Sequence, residues 1–195
     1  MSINTEFITQ VLGRFEGKAI LKGYVPCRNG EPIGASGVTI ATGFDLGQQS
    51  RASLEGMGMP PALISRFAPY LGVQRKEAQR ILAQKPLVLT REEVEIVDAA
   101  VHAKYIDETA AMFGRAVFEA APKEVQAVAV SLHYQFGTPA RKASPALKNS
   151  WDAMRQGKYR DASQYLRDPS GWSASHQQYQ KRRNAEAALL DAVRA

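Results

Sequence analysis

Glu16, Thr39 and Asp45 carry the groups from which a hydrolase of acetals can be assembled. A carboxylic acid can protonate a leaving oxygen, a second carboxylate can position a water, and a hydroxyl can fix that water or the sugar. All three lie in one stretch, Phe15 to Leu46, reading FEGKAILKGYVPCRNGEPIGASGVTIATGFDL. Taken singly, each has an ordinary structural explanation. A Glu at an exposed helix end is solvated, a Thr in a strand is a β-former, and an Asp after Gly-Phe is a turn residue or N-cap. What points to chemistry is the ordered set in one short segment.

The elements around these residues can bring them together. Phe7, Ile8, Val11, Leu12 and Phe15 recur at helical spacing, and Ser2 or Thr5 can cap the helix they define. Glu16 then falls in its last turn, with Gly17 as the stop. A β-like run, Ala19 to Val25, leads into a turn-rich tract, Cys27 to Gly37, where Asn29-Gly30 is the strongest hairpin signal. Val38 to Ala41 reads as the returning strand, and Gly43 lets the chain bend before Phe44-Asp45. A hairpin folded back on the helix end carries Thr39 and Asp45 towards Glu16.

This segment resembles the catalytic region of phage-type lysozymes, where a helix-terminal Glu precedes a small sheet bearing Asp and Thr. The common phage pattern places Asp between Glu and Thr, whereas here Asp45 follows Thr39 and the intervening hairpin holds no Asp. The order Glu, Thr, Asp is similar to the pesticin-like branch. Two distant segments strengthen the likeness. Ala127 to Gly137, AVAVSLHYQFG, resembles the buried helix and cleft loop that the family writes as Phe-Asn-x-Gly, which makes Tyr134, Gln135 and Gly137 substrate-binding candidates. Gln135 keeps the amide of the family's Asn one methylene further out. Lys181 to Leu190, KRRNAEAALL, resembles the family's Arg-Arg-x-Ala-Glu helix and implies that Arg182 orients the catalytic acid.

The resemblance implies a muramidase that cuts between N-acetylmuramic acid and N-acetylglucosamine. Glu16 is then the acid, and partial burial beside Phe15 must hold its carboxyl protonated against any nearby cation. Asp45 and Thr39 position the water. An inverting scheme needs the carboxyls about 6.5–9.5 Å apart, and a shorter gap favours retention. Arg183 reads as a surface charge, Phe136 as a core residue, and Arg141, Lys142 and Lys148 as a solvated basic face.

Composition fits this chemistry without selecting it. A chain of 195 residues can bury a full core as one domain, and a net charge of +6 favours acidic partners, among them nucleic acid, anionic lipid and bacterial wall. The Lys and Arg are spread rather than stacked in a recognition helix, so no specific nucleic acid is expected. Cys27 is the one cysteine and excludes an intramolecular disulfide; with His102, His133 and His176 scattered, no metal and no cofactor is expected. The N-terminus MSINTEFITQVLGRFEG lacks the features of a secretory signal, and no apolar run reaches membrane-spanning length. The expectation is synthesis in a bacterial cytoplasm and action on periplasmic peptidoglycan after release by a holin or a secretion machine. A monomer suffices, and an immunity protein is expected if the chain is an interbacterial toxin.

The remainder reads as helices. A short helix from Pro60-Pro61 to Phe67, Val73 to Ala83, a capping box of Thr90 and Glu93 opening a stretch to Ala121 broken near Gly114, and a helix after Pro122 that is apolar almost all round come first. Pro145 to Gln156, Lys158 to Leu166 and His176 to Val193 complete the set, with Trp151, Tyr159, Tyr165 and Trp172 as packing anchors. Trp172 could instead stack on a sugar. The expected fold is α+β, mostly α: a lysozyme-like, two-lobed fold with a small β lobe over about 17–50 and a larger helical lobe around a central buried helix. Residues 1–195 form one catalytic domain without a wall-binding module. Two other classes stay open, a catalytically silent wall-binding protein on the same fold and a basic nucleic-acid binder.

Overall fold

The computed structural model describes residues 2–16, 20–138 and 144–193, and only the backbone of Glu16. The chain is mostly helical with a small antiparallel sheet, the expected α+β class. It divides into two compact units, residues 16–104 and residues 1–15 with 105–195. Among the described residues no helix is long and apolar enough to cross a membrane.

The first unit is built around β1 (Ile20–Tyr24), β4 (Thr39–Ala41) and β5 (Phe44–Asp45), hydrogen-bonded in the order β1-β4-β5. Between β1 and β4 lies a separate hairpin of β2 (Cys27–Arg28) and β3 (Glu31–Pro32). Its turn is Asn29-Gly30, with φ of 53° and 82°; this positive pair matches the right-handed twist of the strands, as the dipeptide signals. β1 and β4 pair Ile20 with Ala41 and Tyr24 with Thr39, so β1 carries an irregularity between those ends. β4 and β5 pair Thr39 with Asp45 and Ile40 with Phe44. Val38, Ile40, Phe44 and Leu46 are buried with Leu54 of α2 (Arg51–Gly56) and with Leu63, Ile64 and Phe67 of α3 (Pro61–Phe67). α4 (Arg75–Gln84) and the first part of α5 (Arg91–Phe113) complete the unit. Thr90 and Glu93 form the expected capping box, Glu93 N–H donating to Thr90 Oγ1 at 3.2 Å and Thr90 N–H to Glu93 Oε2 at 2.9 Å.

Two glycines let the chain cross itself at the sheet. A Cβ on Gly37 would stand 2.5 Å from Gly47 Cα and 2.6 Å from the Val73 carbonyl oxygen. Both obstacles are backbone, so neither can swing aside.

The second unit packs around α7 (Lys123–Phe136), whose Val125, Ala127, Val128, Ala129, Val130 and Leu132 are fully buried. The buried polar side chains of α7 itself are all partnered, as burial requires. Gln126 accepts from Asn4 N–H at 2.9 Å and donates to the Phe118 and Ala121 carbonyls at 2.9 and 3.2 Å. His133 Nδ1 meets Thr109 Oγ1 at 3.0 Å, and Ser131 donates to Glu186. Around α7 stand α1 (Thr5–Glu16), the end of α5, α6 (Arg115–Ala120), α8 (Pro145–Arg155), α9 (Tyr159–Arg167) and α10 (Gln180–Asp191). Gly114, at φ 89°, breaks α5 from α6 where expected.

Three expectations change. The α1 cap is Asn4, whose Oδ1 accepts from Phe7 N–H at 3.0 Å, rather than Ser2 or Thr5. The C-terminal helix is divided, with a 3-10 segment over Ala174–Tyr179 before α10. Tyr165 is exposed, so Trp151 and Trp172, both buried, anchor this region without it.

Replacing Gly37 with Ala is expected to lower stability by about 1–3 kcal/mol, the cost of overpacking a site that cannot relax. Urea denaturation of the two proteins checks this, with a lower midpoint and an unchanged m-value expected.

Candidate functional site

The β4–β5 hairpin presents Thr39 and Asp45 side by side. Residues directly opposite on an antiparallel pair share a face, so register alone puts the hydroxyl and the carboxylate together. Thr39 is buried, and its Oγ1 donates to the Gly37 carbonyl at 3.4 Å. Asp45 is half-buried and caps the 3-10 turn Leu46–Gln48. Its Oδ1 accepts from Gly47 N–H at 2.8 Å and Gly37 N–H at 3.1 Å, while Oδ2 shares the Gly37 donor at 3.2 Å. A carboxylate has about four lone-pair positions. Oδ1 is saturated and Oδ2 keeps capacity for a further donor such as water. Asp45 therefore fastens the glycine crossing, the role an Asp at a helix start usually has, and can still hold a water.

The tip of this hairpin is held from α5. Asp98 Oδ1 accepts from Thr42 Oγ1 at 2.6 Å and from Thr42 N–H at 3.3 Å. Ala41 at φ 51° and Gly43 at φ 106° flank that residue. For Ala41 this is a left-handed conformation that an L-residue rarely adopts, held by contacts on both sides.

In the helical unit, Tyr134, Gln135 and Gly137 line one groove of about 420 Å³ with Tyr105, Glu108 and Thr138. Gly137 ends α7 at φ 77°, a conformation that frees the chain to turn away. Tyr134 and Tyr105 lie against each other, ring centroids 4.7 Å apart. Gln135 Oε1 accepts from Arg182 Nη1 at 2.9 Å.

Arg182 is the hub of a buried network. Its Nε donates to Glu186 Oε1 at 3.2 Å, its Nη2 to Ser131 Oγ at 2.9 Å and to the Ser131 carbonyl at 3.3 Å. The guanidinium lies 5.0 Å from the centroid of Phe15, the residue before Glu16. Four of its five N–H donors are thereby committed among the described residues, and one on Nη1 is not. Glu186 is 0 % exposed and also accepts from Ser131 Oγ at 2.5 Å. Burial pushes its carboxyl up from the ordinary value, against the bonds from Ser131 and the charge of Arg182.

Arg183, expected at the surface, is instead 0 % exposed. It lies 4.3 Å from the Trp172 ring and donates to the His176 carbonyl and Gln180 Oε1. Trp172 packs on Phe136 at 4.9 Å and donates from Nε1 to the Tyr165 carbonyl at 3.3 Å, so it is a packing residue and not a sugar platform.

Of the residues singled out in the sequence, Thr39 and Asp45 meet on the hairpin, and Gln135 meets Arg182 beside Tyr134 and Gly137. Glu16 ends α1, but its side chain lies outside the described residues, as do Arg141 and Lys142. Lys148 pairs with Asp152 on an exposed helix face. Among the described residues no cluster of His, Cys, Asp or Glu could hold a metal. Sequence reasoning gave no role to Glu186, although it is the Glu of the Arg-Arg-x-Ala-Glu string, and none to Asp98 or Ser131. The spacing Arg182-x-x-x-Glu186 in an Ala-rich helix was the available signal for the first.

Two expected outcomes follow from these contacts. Asp45→Ala loses the cap and about 1–2 kcal/mol of stability, while Asp45→Asn, whose amide oxygen can replace Oδ1, loses less; thermal denaturation ranks them. Glu186 has a folded pKa above its unfolded value, so the stability it contributes is complete below the ordinary carboxylate range and is lost as pH rises through the raised value. Urea titrations across pH should show that loss in the parent chain and not in Glu186→Gln.

The family model described as Pesticin, "Bacterial toxin homologue of phage lysozyme, C-term", matches residues 2–160. That span holds Glu16, Thr39, Asp45, Tyr134, Gln135 and Gly137 and stops before Arg182 and Glu186. No curated protein matches the chain. The mostly helical α+β architecture agrees with a lysozyme-like fold, and with more than half its length matched the chain belongs to the pesticin family of phage-lysozyme homologues.

Proposed function

We propose that the chain is a peptidoglycan glycosidase, a muramidase that cleaves the β-1,4 bond between N-acetylmuramic acid and N-acetylglucosamine. The observation that carries this reading is the β4–β5 register, which sets a hydroxyl and a carboxylate on one face in a member of a lysozyme-homologue family. Glu16, at the end of α1, donates its proton to the leaving glycosidic oxygen as that bond breaks. Asp45 holds a water at Oδ2, takes a proton from it as its oxygen attacks the anomeric carbon, and Thr39 steadies the hairpin face beside it. Arg182, placed over Phe15 with one Nη1 donor uncommitted among the described residues, serves to orient the acid. The aromatic and amide groups of the Tyr134, Gln135 and Gly137 groove suit a sugar, whose faces pack on rings and whose substituents pair with amides.

An endolysin released by a holin and a toxin delivered between bacteria would use the same chemistry. The toxin role brings with it an immunity protein as partner. Either way, the substrate is a polymer outside the cytoplasm, and a monomer is sufficient to act on it.

The test is release of reducing sugar from purified peptidoglycan. Glu16→Gln is expected to lower the rate by about 10²- to 10⁴-fold with its melting temperature kept, and Asp45→Asn to act in the same direction. Full activity in a folded Glu16→Gln protein would remove Glu16 from the mechanism.

A further inference from the structure

The glycosidase reading gives Glu186 no part, yet no other carboxylate among the described residues is so deeply buried. Its surroundings form a closed ring. Glu186 Oε1 accepts from Arg182 Nε and from Ser131 Oγ, and Ser131 Oγ in turn accepts from Arg182 Nη2. A planar guanidinium tied at Nε and Nη2 cannot rotate, so the direction of Nη1 is fixed as well. Nη1 points at Gln135 Oε1, 2.9 Å away.

That single bond decides which way the Gln135 amide faces. An amide has an acceptor end and a donor end, and a cation offers only donors. With Oε1 held by Arg182, Nε2 must turn away, and no described residue accepts from it. Gln135 lines the 420 Å³ groove beside Tyr134 and Gly137. The groove therefore presents two N–H donors of fixed orientation.

We propose that Glu186 is a positioning residue: through Arg182 it locks the Gln135 amide with its donors facing the groove, which then selects a ligand carrying an acceptor oxygen there. The ligand class that fits is an amino sugar bearing an acetamido carbonyl. Only that last identification rests on the glycosidase reading. A neutral amide on the ring partner would serve nearly as well as the carboxylate, since Glu186→Gln keeps an oxygen for Arg182 and Ser131. An apolar residue would not, because Arg182 would lose its anchor and Gln135 could flip.

Two measurements on the full chain test this. Side-chain amide order of Gln135, read by ¹H–¹⁵N heteronuclear NOE, should be high in the parent and in Glu186→Gln and fall in Glu186→Leu to the level of an exposed glutamine such as Gln177. Titration with the tetrasaccharide of N-acetylglucosamine should show Kd raised about tenfold in Glu186→Leu, equivalent to about 1.4 kcal/mol, and less than threefold in Glu186→Gln. A folded Glu186→Leu protein with unchanged amide order and unchanged Kd would overturn the proposal. If Glu186→Leu does not fold, Gln135→Glu decides, since it keeps an acceptor for Arg182 and removes the donors. A tenfold loss of binding with melting temperature kept supports the proposal, and unchanged binding refutes it. Should the parent chain fail to bind the sugar, the glycosidase reading falls, while loss of Gln135 order in Glu186→Leu would still uphold the positioning role and its persistence would still refute it.

Discussion

In the helical unit a carboxylate with no solvent exposure is held against a guanidinium where α10 meets α7, and the groove-lining Gln135 amide hangs on that guanidinium. Removing both charges from water costs several kcal/mol per ion, and their attraction recovers this only when nearby hydrogen bonds satisfy what remains. Here Ser131 does part of this, bonded to Glu186 Oε1 through its hydroxyl and to Arg182 through both hydroxyl and carbonyl, while Glu186 Oε2 has no hydrogen-bond partner among the described residues. Hydrophobic residues of similar volume could have joined α7 to α10 at less cost. They would not have fixed a direction. The ring sets where the guanidinium lies over Phe15 and which end of the Gln135 amide it meets.

The sheet-bearing unit solves a related problem with the backbone. Gly37 and Gly47 approach so closely that no side chain fits, and their N–H groups converge on the Asp45 carboxylate. One residue thus closes the crossing and offers an oxygen on the face it shares with Thr39. Asp98 fixes the tip of the same hairpin through Thr42, across a left-handed Ala41. Strain at one end and a saturated carboxylate oxygen at the other leave the hairpin little freedom. A group that must hold a water in one place benefits from that rigidity.

Much of this was legible in the chain. Asn29-Gly30, the Thr90 and Glu93 box, Gly114 and the all-apolar face pattern of α7 each act locally, so sequence specified the outcome. The order Glu16, Thr39, Asp45 and the distant Tyr-Gln-Phe-Gly string led to the family that the match over residues 2–160 then showed. What sequence hid depends on long-range burial. Nothing in the helical pattern marks Arg183 as buried while its neighbour Arg182 reaches another helix, since the first is set by the fold of the preceding segment that brings Trp172 over it and the second by Ser131, far away in the chain. Glu186 carries no mark of burial in the sequence and is covered only where α10 packs on α7. Trp172 offered two roles, and the packing of Phe136 and Arg183 on its ring selected one.

The central claim is that the chain cuts a glycosidic bond in the bacterial wall. Digestion of purified peptidoglycan followed by borohydride reduction and mass spectrometry of the fragments tests it most directly. New reduced N-acetylmuramic acid ends are the result expected of a muramidase. Freed stem peptides with intact glycan, or no new ends at all, would contradict it.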